Sequence, residues 1–265
     1  MTSPILLSRD GLIATLTLNR PDTLNALDPT MMDALVAHTA ALAADESLRC
    51  VVIQGAGKHF MAGGDIRHFA EQLELAPDER EHRFTLLIGR LHAAIEQLQR
   101  MPHPVLASVH GAVAGFGLSL LCACDLAIAA EGSYFTAAYR QLGLTPDGGL
   151  SYALPRIVGG KKAMEILALG ERFGAQEALR LGLVNRVVPD AELVRATAAM
   201  AAALAAGPVL ATRNGKRLLR HSLSRSLSEQ LDAEAASFGA CAATGDFVEG
   251  VRAFLDKRAP NFGED

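Results

Sequence analysis

Tryptophan is absent from the 265 residues, so no site in this chain rests on an indole. Cysteine is scarce. The four residues are Cys50, Cys122, Cys124 and Cys241, and the two that lie close together sit in an apolar run with no matching Cys or His pair. That pattern gives no metal site. It reads as small buried thiols in a reducing compartment, which points to the cytoplasm. A basic excess is also missing: 25 Lys and Arg face 29 Asp and Glu, so no nucleic-acid partner is expected. No stretch reaches the roughly 18 uncharged apolar residues of a membrane span, and the opening MTSPILLSRDG has no basic segment followed by the apolar stretch of a signal peptide.

Several chemical motifs are missing as well. There is no phosphate loop of the Gly-x-x-x-x-Gly-Lys-Ser/Thr type. The stretch Gly117-Leu118-Ser119-Leu120-Leu121 approaches a nucleophile elbow but has leucine where the last glycine is needed. The eight histidines form no His-x-x-x-His pair. His59, His68, His103 and His110 read as local hydrogen-bonding residues.

What remains is ample for a core, since half of the residues are hydrophobic. Residues 4–20 alternate around Asp10-Gly11 as a hairpin. Asp28-Pro29 predicts a helix start, with Asp28 as N-cap, running to about Ala44. CVVIQG (50–55), VLASVHG (105–111), DLAIAA (125–130) and SYFTA (133–137) read as strands, and a helix begins near Phe116. Residues 71–101 read as a charged, mobile loop followed by a helix. No regular sequence period marks a repeat protein. After Pro189 the pattern is helical almost without interruption, broken at Gly207-Pro208, near His221-Ser222 and at Gly245. The expected organisation is therefore an α/β core over 1–190 and a helical region over 191–265, whose exposed apolar faces would serve subunit contacts.

Three short stretches carry chemistry. In HFMAGGDI (59–66), two glycines after a strand either make a plain tight turn or free the Ala62 N–H to meet a carbonyl oxygen. In HGAVAGFGLSLLCACD (110–125), three glycines lead into an apolar helix. They serve either close packing or an oxyanion site at the Phe116 N–H, because a helix N-terminus has unpaired amides and partial positive charge. In TPDGGL (145–150), Asp147 is either a turn residue or a base.

Taken in order, LNRPDTLNAL (18–27), FMAGGDI, VHGAVAGFGLSLLCACDLAIA, LGLTPDGGLSYALPRIVG (142–159), GLVNRVVP (182–189) and FLDKRAPNF (254–262) resemble the crotonase superfamily, the enoyl-CoA hydratases and isomerases, from end to end. The resemblance implies an α/β fold that winds as a spiral of β-β-α repeats, with C-terminal helices that form trimers, often paired into hexamers. It implies an acyl-CoA thioester as substrate, with coenzyme A as part of that substrate and no separate cofactor. The thioester oxygen would be held by the N–H groups of Ala62 and Phe116. Asp22, Thr23 and Leu24, together with Phe60, Met61, Gly64 and Ile66, would line the CoA site. Gly115, Ser119 and Tyr139 would lie near the acyl group, and Phe254 and Lys257 would reach the nucleotide end from a neighbouring subunit.

The chain departs from the family pattern at one place. Hydratases of this kind carry two glutamates that hold and activate water, and the matching positions here are Ser119 and Tyr139. Neither is a carboxylate base at neutral pH. Asp147 matches the carboxylate of isomerases and their ring-processing relatives, where one base takes a proton from C2 and returns it at C4. An apolar setting made by Leu142, Leu144, Leu150 and Tyr152 would raise its pKa and make it a better base. The expected activity is thus isomerisation of a straight-chain or ring-derived enoyl-CoA, in fatty acid or aromatic breakdown. The alternatives are a hydratase with an unusual water-activating group and an acyl-CoA binder with little turnover. Ring dehalogenation is disfavoured, because the indole those enzymes place at position 139 is absent.

Overall fold

The computed structural model describes residues 3–263. The chain opens with the expected hairpin, β1 (Ile5–Asp10) and β2 (Ile13–Leu18), paired antiparallel from Ile5–Leu18 to Asp10–Ile13. Its two loop residues are Gly11 and Leu12, with Gly11 at φ +54°. The turn thus falls one residue later than Asp10-Gly11. Helix α1 (Pro29–Ala44) starts as the sequence predicts, with the Asp28 carboxylate accepting the Met31 amide at 2.8 Å.

From β2 onward the chain alternates between two sheets. One strand goes into a six-stranded sheet ordered β1-β2-β3-β4-β6-β9, where β3 is Cys50–Gly55, β4 Val105–Val109, β6 Leu126–Ala130 and β9 Arg186–Val188. All its pairs after β1–β2 are parallel. The next short segment joins a second stack. Leu27 bridges Gly64, Met61 bridges Val113, and β5 (Ala112–Ala114) pairs β7 (Tyr134–Thr136), all in parallel. Strand β8 (Phe173–Gly174) closes that stack antiparallel to β7. A helix or helix pair then returns the chain: α1; then α2 (Ile66–Ala70) and α3 (Pro77–Arg100); then α4 (Phe116–Ala123); then α5 (Leu150–Val158) and α6 (Gly160–Leu169). This is the β-β-α spiral. No sequence period shows it because the returning helices range from 5 to 24 residues.

Charged residues expected to form a loop lie instead inside α3, which already begins at Pro77. Asp78 and Glu79 occupy its first turn, where they complement the helix dipole. Farther on, Leu91, Ala94, Ile95 and Leu98 are buried at helical spacing. Strand β4, at the centre, is buried along its length because the sheet is covered on both faces. After α7 (Ala175–Arg180) and β9, the C-terminal helices are α8 (Leu193–Ala205), α9 (Val209–His221), α10 (Leu227–Ala242) and α11 (Gly245–Leu255). Their breaks fall where the sequence places them. Helix α8 packs on the large sheet, with Leu193, Ala201 and Ala205 against Val52, Leu106 and Ile128. Helices α9 to α11 leave Leu219, Leu227, Phe238 and Phe254 exposed. Among the described residues no single helix is long and apolar enough to cross a membrane.

Candidate active site

The spiral brings the two glycine loops side by side. Met61 bonds across to β5, its amide donating to the Ala112 carbonyl at 3.0 Å and its carbonyl accepting the Ala114 amide at 2.9 Å. A methyl on Gly63 would stand 3.8 Å from the Phe116 nitrogen, so the 62–64 loop lies against the start of α4. Gly115, at φ +51°, turns the chain from β5 into that helix. Phe116 is its first residue, where an amide has no intrahelical acceptor. The Ala62 amide is engaged: it donates to the Leu24 carbonyl at 3.1 Å. A ligand oxygen at that amide would share or displace the Leu24 contact.

The 22–27 segment is fixed to these loops by two residues that the sequence reading did not single out. Asn25 is fully buried. Its side chain accepts the Arg20 amide at 2.8 Å and donates to the Ala56 and His59 carbonyls at 2.9 and 2.7 Å. Arg20 pairs with Asp65 at 2.9 Å and Asp28 at 3.2 Å, and also donates to the Ala26 carbonyl. Leu24 and Asn25 both have left-handed backbones, at φ +57° and +56°, a conformation that costs non-glycine residues energy and is held here by those bonds. Burial alone would raise the Asp65 pKa. The Arg20 hydrogen bond and the amides at the start of α2 overcome it, and the carboxyl sits below the usual range. Both residues lie inside LNRPDTLNAL, but only the fold shows what they hold.

Asp147 lies against α4. A methyl on Gly148 would fall 2.7 Å from the Phe116 ring and 2.9 Å from the Ser119 Cβ, and Gly149 lies near Ile95 of α3. The Tyr139 hydroxyl reaches Asp147 Oδ1 at 2.6 Å and Ser119 Oγ at 2.8 Å, and Ser119 Oγ lies 3.0 Å from the Asp147 carbonyl oxygen. Ser119 and Tyr139 are buried, and Asp147 is half-buried. Burial pushes the Asp147 carboxyl above its ordinary value, with the Tyr139 bond and His92 on α3 pulling the other way. Burial and then the Asp147 charge push the Tyr139 phenol far up, so it stays protonated.

The apolar setting has a different origin from the expected one. Leu142, Leu144 and Tyr152 are 48, 48 and 56 % exposed, and of the four expected residues only Leu150 is buried. The 3-10 turn at Arg140–Leu142 and the start of α5 point those side chains outward. Phe116, Ser119, Tyr139 and Ile95 take their place.

Of the remaining expected residues, Phe60 and Met61 are fully buried beneath the first loop, Gly64 packs on the Phe69 ring, and Ile66 is 52 % exposed at the start of α2. Asp22 and Thr23 form a 3-10 turn ending at Leu24. Phe254, on α11, lines a separate apolar cavity of about 400 Å3 between α9 and α11, and Lys257 follows that helix. Four of the histidines make hydrogen bonds, but only the His68 bond is local; the other three reach across 53 to 61 positions. His59 Nδ1 accepts the Ala112 amide, His110 Nε2 meets the Gly57 carbonyl, and His68 pairs with Glu71. His103 Nε2 meets the Leu42 carbonyl.

A two-sheet spiral with two glycine loops meeting at a helix start, beside a half-buried carboxyl, defines an enzyme of the crotonase class. Residues 8–265 match the family model described as enoyl-CoA hydratase/isomerase. A probable enoyl-CoA hydratase of Rhodobacter capsulatus is 40 % identical over 252 residues, 94 % of each chain. The 1,2-epoxyphenylacetyl-CoA isomerase of Escherichia coli K12 is 33 % identical over the same share of each chain. The crystal structure of an enoyl-CoA hydratase from Polaromonas sp. JS666 superposes with a TM-score of 0.90 at 36 % identity, covering 98 % of this chain and 99 % of that one. The chain belongs to the enoyl-CoA hydratase/isomerase family, whose members act on acyl-CoA thioesters.

Proposed function

We propose that this enzyme is an acyl-CoA isomerase that shifts a double bond through a thioester enolate, with Asp147 as the acid and base. One observation carries the reading. Ser119, Tyr139 and Asp147 converge on one point beside the Phe116 ring, in the first turns of α4, and of the three only Asp147 bears a carboxyl. Adding water across a 2-enoyl thioester asks for one group to deprotonate water and another to protonate C2. A proton shift asks for one group that does both in turn.

In this mechanism the Phe116 and Ala62 amides hold the thioester oxygen, the second after release from Leu24. Charge that develops on that oxygen meets fixed donors, and one such donor is typically worth about 3 kcal/mol. Asp147 takes a proton from C2 and returns it at C4. Its raised pKa makes it a stronger base than an exposed aspartate. The Escherichia coli relative named as an epoxyphenylacetyl-CoA isomerase supports a ring-derived substrate over a straight chain. Coenzyme A is part of the substrate, and no further cofactor takes part. The exposed apolar residues of α9 to α11 support trimers or hexamers in which Phe254 and Lys257 meet a neighbour's nucleotide. A cytoplasmic location fits four unpaired cysteines.

Hydration is the second reading, favoured by the hydratase names of the Rhodobacter capsulatus and Polaromonas relatives. The test is incubation with 2-enoyl-, 3-enoyl- and saturated acyl-CoA in heavy water. Deuterium uptake without a gain of water supports the isomerase. A gain of water makes it a hydratase, and neither outcome leaves an acyl-CoA binder.

A further inference from the structure

We infer that Tyr139 and Ser119 are positioning residues, a pair of hydroxyls whose hydrogen bonds reverse direction when Asp147 gains or loses a proton, so that its carboxyl keeps one place in both charge states. The role in turnover rests on the isomerase reading; the reversal itself does not.

The geometry is a closed ring. Asp147 Oδ1, Tyr139 Oη, Ser119 Oγ and the Asp147 carbonyl oxygen follow one another at 2.6, 2.8 and 3.0 Å. Each hydroxyl has one proton to donate. With Asp147 ionised, Tyr139 donates to Oδ1 and Ser119 donates to Tyr139 Oη. With a proton on Oδ1, the carboxyl donates to Tyr139 Oη, Tyr139 donates to Ser119 Oγ, and Ser119 donates to the Asp147 carbonyl. Every donor is used in both arrangements, and no proton leaves the ring. Among the described residues no side chain bonds the other oxygen, Oδ2.

Burial makes the device useful. A buried hydroxyl with no partner costs free energy, so a fixed set of donors would favour one charge state of the base and oppose the other. A base that must take a proton and then return it works best when neither state is penalised. Few other groups bear on the carboxyl. His92 is the titratable residue that α3 brings to it, α4 presents Phe116 and Ser119, and α5 presents the buried Leu150.

The test is an infrared titration of the protonated carboxyl band in the free protein, with Asp147→Asn identifying the band. Tyr139→Phe removes the donor to the carboxylate, so the midpoint should rise. Ser119→Ala leaves that donor in place but removes the outlet of the reversed arrangement, so the midpoint should fall. Opposite displacements support the reversal. No displacement, or displacement of both variants in the same direction, overturns it. Should Tyr139→Phe not fold, a midpoint in Ser119→Ala that stays or rises overturns it alone. In turnover, the acidic limb of the exchange rate should follow the infrared midpoint, with kcat of Tyr139→Phe down about tenfold and KM within about twofold. If no acyl-CoA exchanges while the midpoints still move apart, the isomerase reading fails and this inference stands. If exchange persists while the midpoints do not move, the inference fails and the reading stands.

Discussion

Gly117 lies so close to Met61 that a methyl on it would stand 2.6 Å from the Met61 carbonyl oxygen and 3.2 Å from its carbonyl carbon. The start of α4 therefore packs backbone on backbone against the 60–64 loop. That contact fixes the spacing between the Ala62 and Phe116 amides.

Gly117→Ala should push those loops apart. The obstacle is main chain, which cannot swing aside as a side chain would. We expect a loss of about 2 kcal/mol in stability and a fall in α-proton exchange of about a hundredfold, as when one oxyanion donor is lost. Urea unfolding and the exchange assay measure the two effects. Normal exchange in a folded variant would remove the two amides from the mechanism.

Asp147→Asn should abolish exchange while raising the melting temperature at pH 7. The folded-state pKa lies above the unfolded value of 3.8 because burial disfavours the charge. The folded chain then holds its proton to higher pH than the unfolded chain does. Stability associated with this group is fully present below 3.8 and is lost as pH rises through the folded pKa. Asparagine carries no charge and keeps an acceptor for Tyr139. Calorimetry from pH 4 to 8 is the check, and a variant that is less stable than the parent at pH 7 contradicts the burial argument.

Arg20→Met should loosen the 22–27 segment from the 60–65 loop. The expected cost is about 2 kcal/mol, because Asp65 and Asp28 lose a partner while still partly buried. Asp65 has the opposite sign to Asp147. Its lowered pKa contributes stability that is present above 3.8 and is lost as pH falls through the folded value. The variant should therefore lose part of the protein's acid sensitivity. Denaturant midpoints at pH 7 and in mild acid compare the two, together with the Kd for a saturated acyl-CoA, which should weaken.

Asp125→Ala should release α9 from the core. Lys216 on that helix is nearly buried and reaches Asp125 at 2.7 Å, and Arg220 reaches the same carboxylate at 2.6 Å. Burial lowers the Lys216 pKa, and Asp125 is the group that opposes it. Without Asp125 the charge keeps only the Leu98 and His103 carbonyls. A loss of about 3 kcal/mol is expected, with the C-terminal helices becoming more open to hydrogen exchange. Uniform exchange throughout the chain would show that α9 is not held there.

Cys50 and Cys122 should resist thiol reagents in the folded protein at pH 8. Burial pushes both thiols up to about 12, so almost no thiolate is present. Mass spectrometry after alkylation should find these two unmodified, and all four cysteines modified in denaturant. Rapid labelling of either in the folded state would mean that the core opens locally.

Much of this protein was legible in order along the chain. Asp28-Pro29 fixes the start of α1 because a capping carboxylate and a proline at the first position act within one helical turn. Gly207-Pro208 and Gly245 end or begin helices for equally local reasons. The glycine loops and Asp147 could be picked out as candidates because their residue types are rare in such surroundings. The partners could not. Arg20 meets Asp65 across 45 positions, Asn25 reaches the 56–59 carbonyls, and Tyr139 meets Ser119 across 20. Leu142, Leu144 and Tyr152 are apolar and close to Asp147 in sequence, yet they face outward, while Phe116 and Ile95, far away in the chain, line its surroundings. Burial and hydrogen bonding depend on separation in space. The spiral sets that separation by stacking successive turns of chain, and its returning helices are too unequal in length to leave a period in the sequence.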